Sequence, residues 1–325
     1  MTISPLDPGA DLGEVRELLA GRLQQAYAIH AGLVGEEPLR RFLLQRDLAT
    51  LRSGASVFVA RDGASICGLA AWSHLPWDSE QFGFEAARVD LLAAAGDYRR
   101  ARELKALLLC GLLESCRERR IRHLIARADA GDFSTIHALE AAGFETIDGI
   151  QTFSLTLGDS VLPEDRNDCE VRLFRQQDLE QILTIARSSY IFDRFHADCA
   201  LPPETADAVN ETWLWNSCLG KAADSVVVAV QGSQVLGYVT CKIDRETGPG
   251  LGLLFGTIVL VATIAAARGR GVGRAGTFGA LKWFREQGVR VVEVGTQLRN
   301  LPAGRLYQSC GFRLVRVSLT LRKLL

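Results

Sequence analysis

The segment Arg268-Gly269-Arg270-Gly271-Val272-Gly273, followed by Arg274, interleaves three glycines with arginines. It follows an apolar run at residues 256–262 that reads as a strand, and it opens a helical pattern over residues 271–286. Glycine lets a backbone approach a ligand where a Cβ would clash. Successive amides at a helix start converge on one spot, and the helix dipole favours negative charge there. A pyrophosphate suits such a cradle, and Arg268, Arg270 and Arg274 can add charge-assisted contacts. A glycine-rich turn with solvated arginines has the same composition, so the loop alone does not decide. Gly271, Gly273 and Gly276 also meet the G-x-G-x-x-G spacing of a dinucleotide site, with Glu293 near the acidic position. Against that reading, several residues separate the strand from the first glycine, and too little chain follows Gly276 for a parallel βαβαβ half.

A second segment carries more weight. Asn300-Leu301-Pro302-Ala303-Gly304-Arg305-Leu306-Tyr307-Gln308-Ser309-Cys310-Gly311-Phe312 follows a strand pattern that ends near Thr296. Together the two segments resemble the GNAT acetyltransferase superfamily. Its first motif, R/Q-x-x-G-x-G/A, is met by Arg268, Gly271 and Gly273, and its second by Asn300, Ala303, Leu306, Tyr307, Gly311 and Phe312. The family's usual proline three residues before Arg268 is replaced by Ala265.

The resemblance implies acetyl-CoA as cosubstrate; no metal is expected, since the cysteines form no Cys-x-x-Cys pair. Residues Arg268, Gly269, Arg270, Gly271, Val272, Gly273 and Arg274 would hold the CoA pyrophosphate. Val261, Ala262 and Thr263 would line the pantetheine and offer an amide to the thioester oxygen, an oxyanion-hole device. Asn300 and Ala303 would contact the cofactor arm. Tyr307 would protonate the departing thiolate, since a phenol is a donor able to reach the sulfur. A packed core tyrosine is the alternative reading of Tyr307. The base that takes the amine proton stays open among Glu293, Asp244 and a chain of ordered waters.

Further stretches resemble one branch of the superfamily, dTDP-fucosamine acetyltransferase and related sugar-nucleotide N-acetyltransferases. They are Trp77-Asp78-Ser79-Glu80-Gln81-Phe82-Gly83-Phe84, then Phe192-Asp193-Arg194-Phe195-His196-Ala197-Asp198 with Trp213-Leu214-Trp215, and Val294-Gly295-Thr296-Gln297 leading to Asn300. The resemblance implies a small amine acceptor on a sugar nucleotide. Arg194 offers a planar fork for a diphosphate, Phe192 and Phe195 offer stacking surfaces, and His196 and Gln297 complete the candidate set. A helix-capping loop with a core aromatic pair explains the same residues. Asp193, Asp198, Glu204, Asp207 and Glu211 leave an aminoglycoside, a polyamine or a protein N-terminus as rival acceptors, and a non-catalytic acetyl-CoA sensor is a third reading.

The elements that position these residues repeat. Gly311 lies 168 residues after Gly143, and Val289 the same 168 after Ile121. A common offset across strand, helix and Gly-Phe turn indicates internal duplication. Hairpin signals recur at residues 56–66 and 225–243, and long helical patterns at residues 98–118 and 271–286. Each half is expected to run helix, hairpin, strand, helix, strand, helix, strand. The fold class is therefore α/β, as tandem GNAT folds, each a mixed, mostly antiparallel sheet flanked by helices. The expected domains are 1–158 and 169–325, joined by a polar linker at 159–168. Under the offset, Arg268 maps to Arg100, Gly271 to Glu103, Gly273 to Lys105, Asn300 to Asp132 and Tyr307 to Leu139. The first half is thus expected to be a degenerate copy that binds no cofactor.

Composition bounds the rest. The 325 residues carry a net charge of −1 with 48% hydrophobic content, which argues against a nucleic-acid partner. The most apolar stretch, residues 251–267, is too short and too rich in Gly and Thr to be expected in a membrane. The start lacks a signal-peptide pattern. The eight cysteines form no Cys-x-x-Cys pair, so free thiols in a cytoplasmic setting are expected. A homodimer is compatible with this reading.

Overall fold

The computed structural model describes residues 1–7, 12–20, 30–158, 168–190, 192, 194–245 and 250–325, without the side chains of residues 31, 194 and 203. It divides into two compact units, Met1–Gly149 with Val317–Leu325, and Ile150–Arg316.

The first unit runs β1 (Thr2–Pro5), α1 (Gly13–Ala20), α2 (Ala31–Val34), α3 (Glu36–Arg52), β2 (Ser56–Asp62), β3 (Ser65–His74), α4 (Pro76–Phe82), β4 (Ala86–Ala94), α5 (Tyr98–Glu118), β5 (His123–Asp129), α6 (Phe133–Ala141) and the start of β6 (Glu145–Thr156). β1 to β4 pair antiparallel in sequence order, and β4 pairs parallel with β5. The α5 sequence buries Leu104, Leu108, Leu112 and Cys116 along one stripe, the three-to-four spacing that puts an apolar face on a sheet.

The second unit repeats the plan: β7 (Glu170–Leu173), α7 (Leu179–Ser189), α8 (Arg194–Ala197), α9 (Pro203–Cys218), β8 (Ser225–Gln231), β9 (Gln234–Asp244), β10 (Phe255–Thr263), α10 (Val272–Glu286), β11 (Val291–Gln297), α11 (Leu301–Ser309) and the start of β12 (Arg313–Leu324). β7 to β10 pair antiparallel in order, and β10 pairs parallel with β11. Both units are mixed sheets flanked by helices, as the repeat implies. The opening strands β1 and β7 stand outside the expected element order.

The expected contiguous halves differ from these units, because the last strands are exchanged. Residues 150–156 of β6 pair antiparallel with β11 in the second unit, and Ser318–Leu324 of β12 pair with β5 in the first. The registers match: Val291 faces Thr156, and His123 faces Leu324, each residue shifted by the same 168 positions. The two strands are equivalent by repeat position, so the local pattern of either suits either sheet. All of the expected linker except Asp168 lies outside the described residues. Among the described residues, no helix is long and apolar enough to cross a membrane.

Candidate active site

In the second unit, β10 and β11 part company. Their parallel pairing runs from Phe255 and Val291 to Ile258 and Val294, yet the strands continue to Thr263 and Gln297. The cause is a bulge in β10. Ile258 faces Cys241 and Val261 faces Val239, so Val259 and Leu260 together oppose Thr240. An extra residue of this kind bends its strand and steepens the local twist. Within the bulge, Leu260 N–H donates to Thr240 Oγ1 at 2.9 Å, and beyond it Ile264 N–H donates to the Leu236 carbonyl at 2.9 Å. Successive amides of an extended strand point to opposite edges. The amides of Val261 and Thr263 therefore face away from β9, into the fork, while Ala262 is buried.

The chain then turns through residues 264–271 into α10. Gly269 and Gly271 have φ of +75° and +83°, left-handed values that glycine adopts without strain. A Cβ built on Gly269 would meet nothing within 4 Å. Gly271 is the N-cap of α10 and provides no side-chain cap, so the first-turn amides lack intrahelical acceptors. Arg268, Arg270 and Arg274 are exposed here, Arg274 lying over the Phe278 ring at 5.4 Å. Val272 is buried in the core. The open backbone, the uncapped amides and the arginines together fit a pyrophosphate, the group acetyl-CoA would present.

Tyr307 lies on α11, 4% exposed, with ring centroids 5.9 Å from Phe153 and 6.0 Å from Phe312. Burial pushes its pKa well above the usual phenol range, aided by nearby Cys310, so the proton stays on oxygen at neutral pH. Asn300 caps α11: its side-chain oxygen accepts from the Ala303 amide at 3.2 Å. That commits one end of the side chain to the helix and leaves the amide nitrogen as the group a cofactor could meet. Ala303 is half-buried beside the same core.

The candidate acceptor residues are less uniform. Phe192 is half-buried in a bend, and the side chain of Arg194 and all of Asp193 lie outside the described residues. Phe195 is 3% exposed, which corrects its expected role as a stacking face: its ring is core. His196 Nε2 sits 3.1 Å from the Asp207 carboxylate on α9, and Asp198 is buried, accepting from the Ala200 amide. Gln297 ends β11 at the mouth of the fork. Glu293 faces Thr257 and Ser154 across β11, just before the strands part, and Asp244 ends β9.

Two residues escaped the sequence reading. Phe153 packs on Tyr307 from a strand of the first sequence half; only its 168-residue partner, Leu321, which is buried in the first unit, hints at this. Thr240 carried no motif at all.

Comparison with known proteins agrees with this geometry. The family described as Acetyltransferase (GNAT) family matches residues 180–312. The spore coat polysaccharide biosynthesis protein SpsD of Bacillus subtilis (strain 168) is 23% identical over 279 residues, 86% of this chain and 91% of that protein. A GCN5-related N-acetyltransferase from Sphaerobacter thermophilus superposes with a TM-score of 0.62 at 17% identity, covering 99% of this chain and 95% of its own. A tandem GNAT protein from the clavulanic acid biosynthesis pathway gives 0.56 at 17% identity, covering 99% and 98%. These two structural likenesses speak to the fold.

Proposed function

We propose that this chain, an acetyl-CoA-dependent N-acetyltransferase with a GNAT-family domain over residues 180–312, acetylates the amine of an amino sugar carried on a nucleotide. The observation that supports the donor half is the fork between β10 and β11, with the uncapped glycine loop at one end and Tyr307 in the same unit. Acetyl-CoA supplies an acyl group activated as a thioester. Arg268, Arg270 and Arg274, with the amides of residues 269–273, would hold its pyrophosphate. Val261 and Thr263 present amides that can receive charge developing on a carbonyl oxygen. Tyr307 would hold a proton at Oη for a leaving thiolate.

The acceptor half rests on the likeness to SpsD, named for spore coat polysaccharide biosynthesis, along 86% of this chain. A polycationic acceptor is less well served. Of the acidic residues that would draw one, Glu211 is paired with Arg187 and Asp207 lies against His196. Following thiol release from acetyl-CoA with amino-sugar nucleotides, free amino sugars, aminoglycosides and polyamines tests the reading. Turnover is expected with the nucleotide-linked sugars, and a clear preference for a polyamine would sink it. Arg194→Ala should raise KM for the nucleotide-linked sugar far more than for the free one; equal effects would remove Arg194 from nucleotide binding.

A further inference from the structure

The bulge that opens the fork leaves Leu260 with a buried amide at the point where the regular ladder between β9 and β10 is interrupted. A buried amide without an acceptor is costly. Thr240, fully buried, supplies the acceptor from its side chain at 2.9 Å. We propose that Thr240 is a positioning residue for acetyl transfer: its hydroxyl pins the bulge in place and so sends the amides of Val261 and Thr263 into the fork. A slip of one residue would exchange the two edges of the strand. Leu260 and Ala262 would then aim their amides at the fork, and Val261 and Thr263 would turn to β9.

The first unit shows that the hydroxyl is not needed to build the bulge. There β4 pairs with β5 only from Ala86 to Val89, and its register against β3 shifts past Asp90, giving the same fork. The residue in the place of Thr240 is Ala71, opposite Leu91. Asp90, in the place of Val259, is held by the side chains of Ser73 and Arg88. The second unit has instead a hydroxyl aimed at the one amide whose direction sets those of its neighbours.

This inference rests on the acetyl-CoA reading of the fork, and its test separates the two. The full chain is compared as wild type, Thr240→Val and Thr240→Ser; the valine variant should fold, since alanine serves at the matching place in the first unit. Residue-resolved hydrogen exchange should show Leu260 protected in wild type and Thr240→Ser, and exchanging at least about tenfold faster in Thr240→Val. Acetyl-CoA should protect the Val261 amide in wild type and Thr240→Ser but not in Thr240→Val. With a dTDP-linked amino sugar as acceptor, kcat of Thr240→Val should fall roughly tenfold to a hundredfold, as misplaced groups typically cause. KM for acetyl-CoA should stay within about threefold because the glycine loop is untouched, and Thr240→Ser should restore kcat. Wild-type kcat and exchange in Thr240→Val, or failure of serine to restore either, would overturn the role of Thr240. A wild type inactive on that acceptor would overturn the acceptor reading alone, and exchange at Leu260 and Val261 would then decide. A wild type that binds no acetyl-CoA would overturn both.

Discussion

In each unit a long helix follows the strand that forms the fork, and the two helices begin differently. In the second unit eight residues separate β10 from α10, and the N-cap is Gly271 without a side-chain cap. In the first unit three residues separate β4 from α5, and Asp97 caps the helix, its carboxylate accepting from the Arg100 amide at 2.9 Å. α5 has 21 residues to the 15 of α10, and the extra turns lie at its start. The glycine loop of one copy is helix in the other. Arg100, the counterpart of Arg268, pairs with Asp62, and Glu103 is an exposed helical residue. Glu103, the counterpart of Gly271, thus lies inside α5 and not in a glycine loop. Lys105, in the place of Gly273, reaches across to α6 and bonds Asp132, Ser134 and Thr135. A fold can thus keep its bulge and fork without the glycine loop, simply by starting one helix earlier.

The largest effect should come from giving the working loop the charge and bulk it lacks. Gly271→Glu places a side chain at φ +83°, a strained value for any L residue, and sets a carboxylate against a dianionic pyrophosphate. Acetyl-CoA affinity should fall more than about a hundredfold, equivalent to roughly 3 kcal/mol. Calorimetry that finds near-normal affinity in a folded variant would break the contrast between the loops. Tyr307→Phe should come next: if the phenol acts on the leaving group as proposed, kcat falls by roughly tenfold to a hundredfold with acetyl-CoA affinity nearly unchanged. Its counterpart in the first unit, Leu139, is buried in the core. Wild-type turnover at saturating substrate would return Tyr307 to the role of a packed aromatic.

The repeat was legible because strands β5 and β11, helices α6 and α11, and the Gly-Phe turns after them keep a common offset. The candidate cofactor residues stand out for a related reason: glycines at a helix start and a Leu-Tyr pair before Gly-Phe are local signals. The bulge was not, since it exists only as a register between strands, and neither Thr240 nor Leu260 looks unusual in its own strand. The exchange of last strands was hidden because residues 150–156 and 318–324 are equivalent partners for either sheet. The helix start at Asp97 was readable in hindsight, since an aspartate three residues before Arg100 is a capping signal.

The buried polar cluster of the first unit gives a smaller and more local effect. Lys105 is 5% exposed, and Asp132 both pairs with it and caps α6 through the Thr135 amide. Burial alone would raise the Asp132 pKa, but the Thr135 and Ser134 hydroxyls and the Lys105 ammonium outweigh it and hold the carboxyl at about 2. Asp132→Ala should cost about 2–4 kcal/mol, because it strands a buried ammonium and removes a cap. Lys105→Met should cost about 1 kcal/mol or less, since Asp132 keeps its hydroxyl and amide donors. Urea unfolding checks the order, and an equal or reversed cost would mean that the pair is not what holds α6. A lowered folded-state pKa stabilises fully above the ordinary carboxyl value near 3.8 and is lost as pH falls through about 2. The stability gap between wild type and Asp132→Asn should therefore narrow over that acid range and stay constant above pH 5.

The finest test asks whether the cap or the missing loop would keep a cofactor out of the first unit. Asp97→Ala removes the carboxylate from the start of α5 and frees the Arg100 amide. The site is exposed, so the cost should be about 1 kcal/mol. If the carboxylate alone blocked a cofactor, this variant would gain a second acetyl-CoA site. It should not. The freed amide still sits only six residues after the end of β4, with no glycine run to bring further amides onto the same spot. Lys105 still spans to α6, and Arg100 still has Asp62 as its partner. Titration calorimetry should therefore give one acetyl-CoA per chain in wild type and in Asp97→Ala, with the same affinity. Two sites in wild type would show that the first unit binds despite its shortened connection. A second site appearing only in Asp97→Ala would make the cap, rather than the early helix start, the feature that separates the two units.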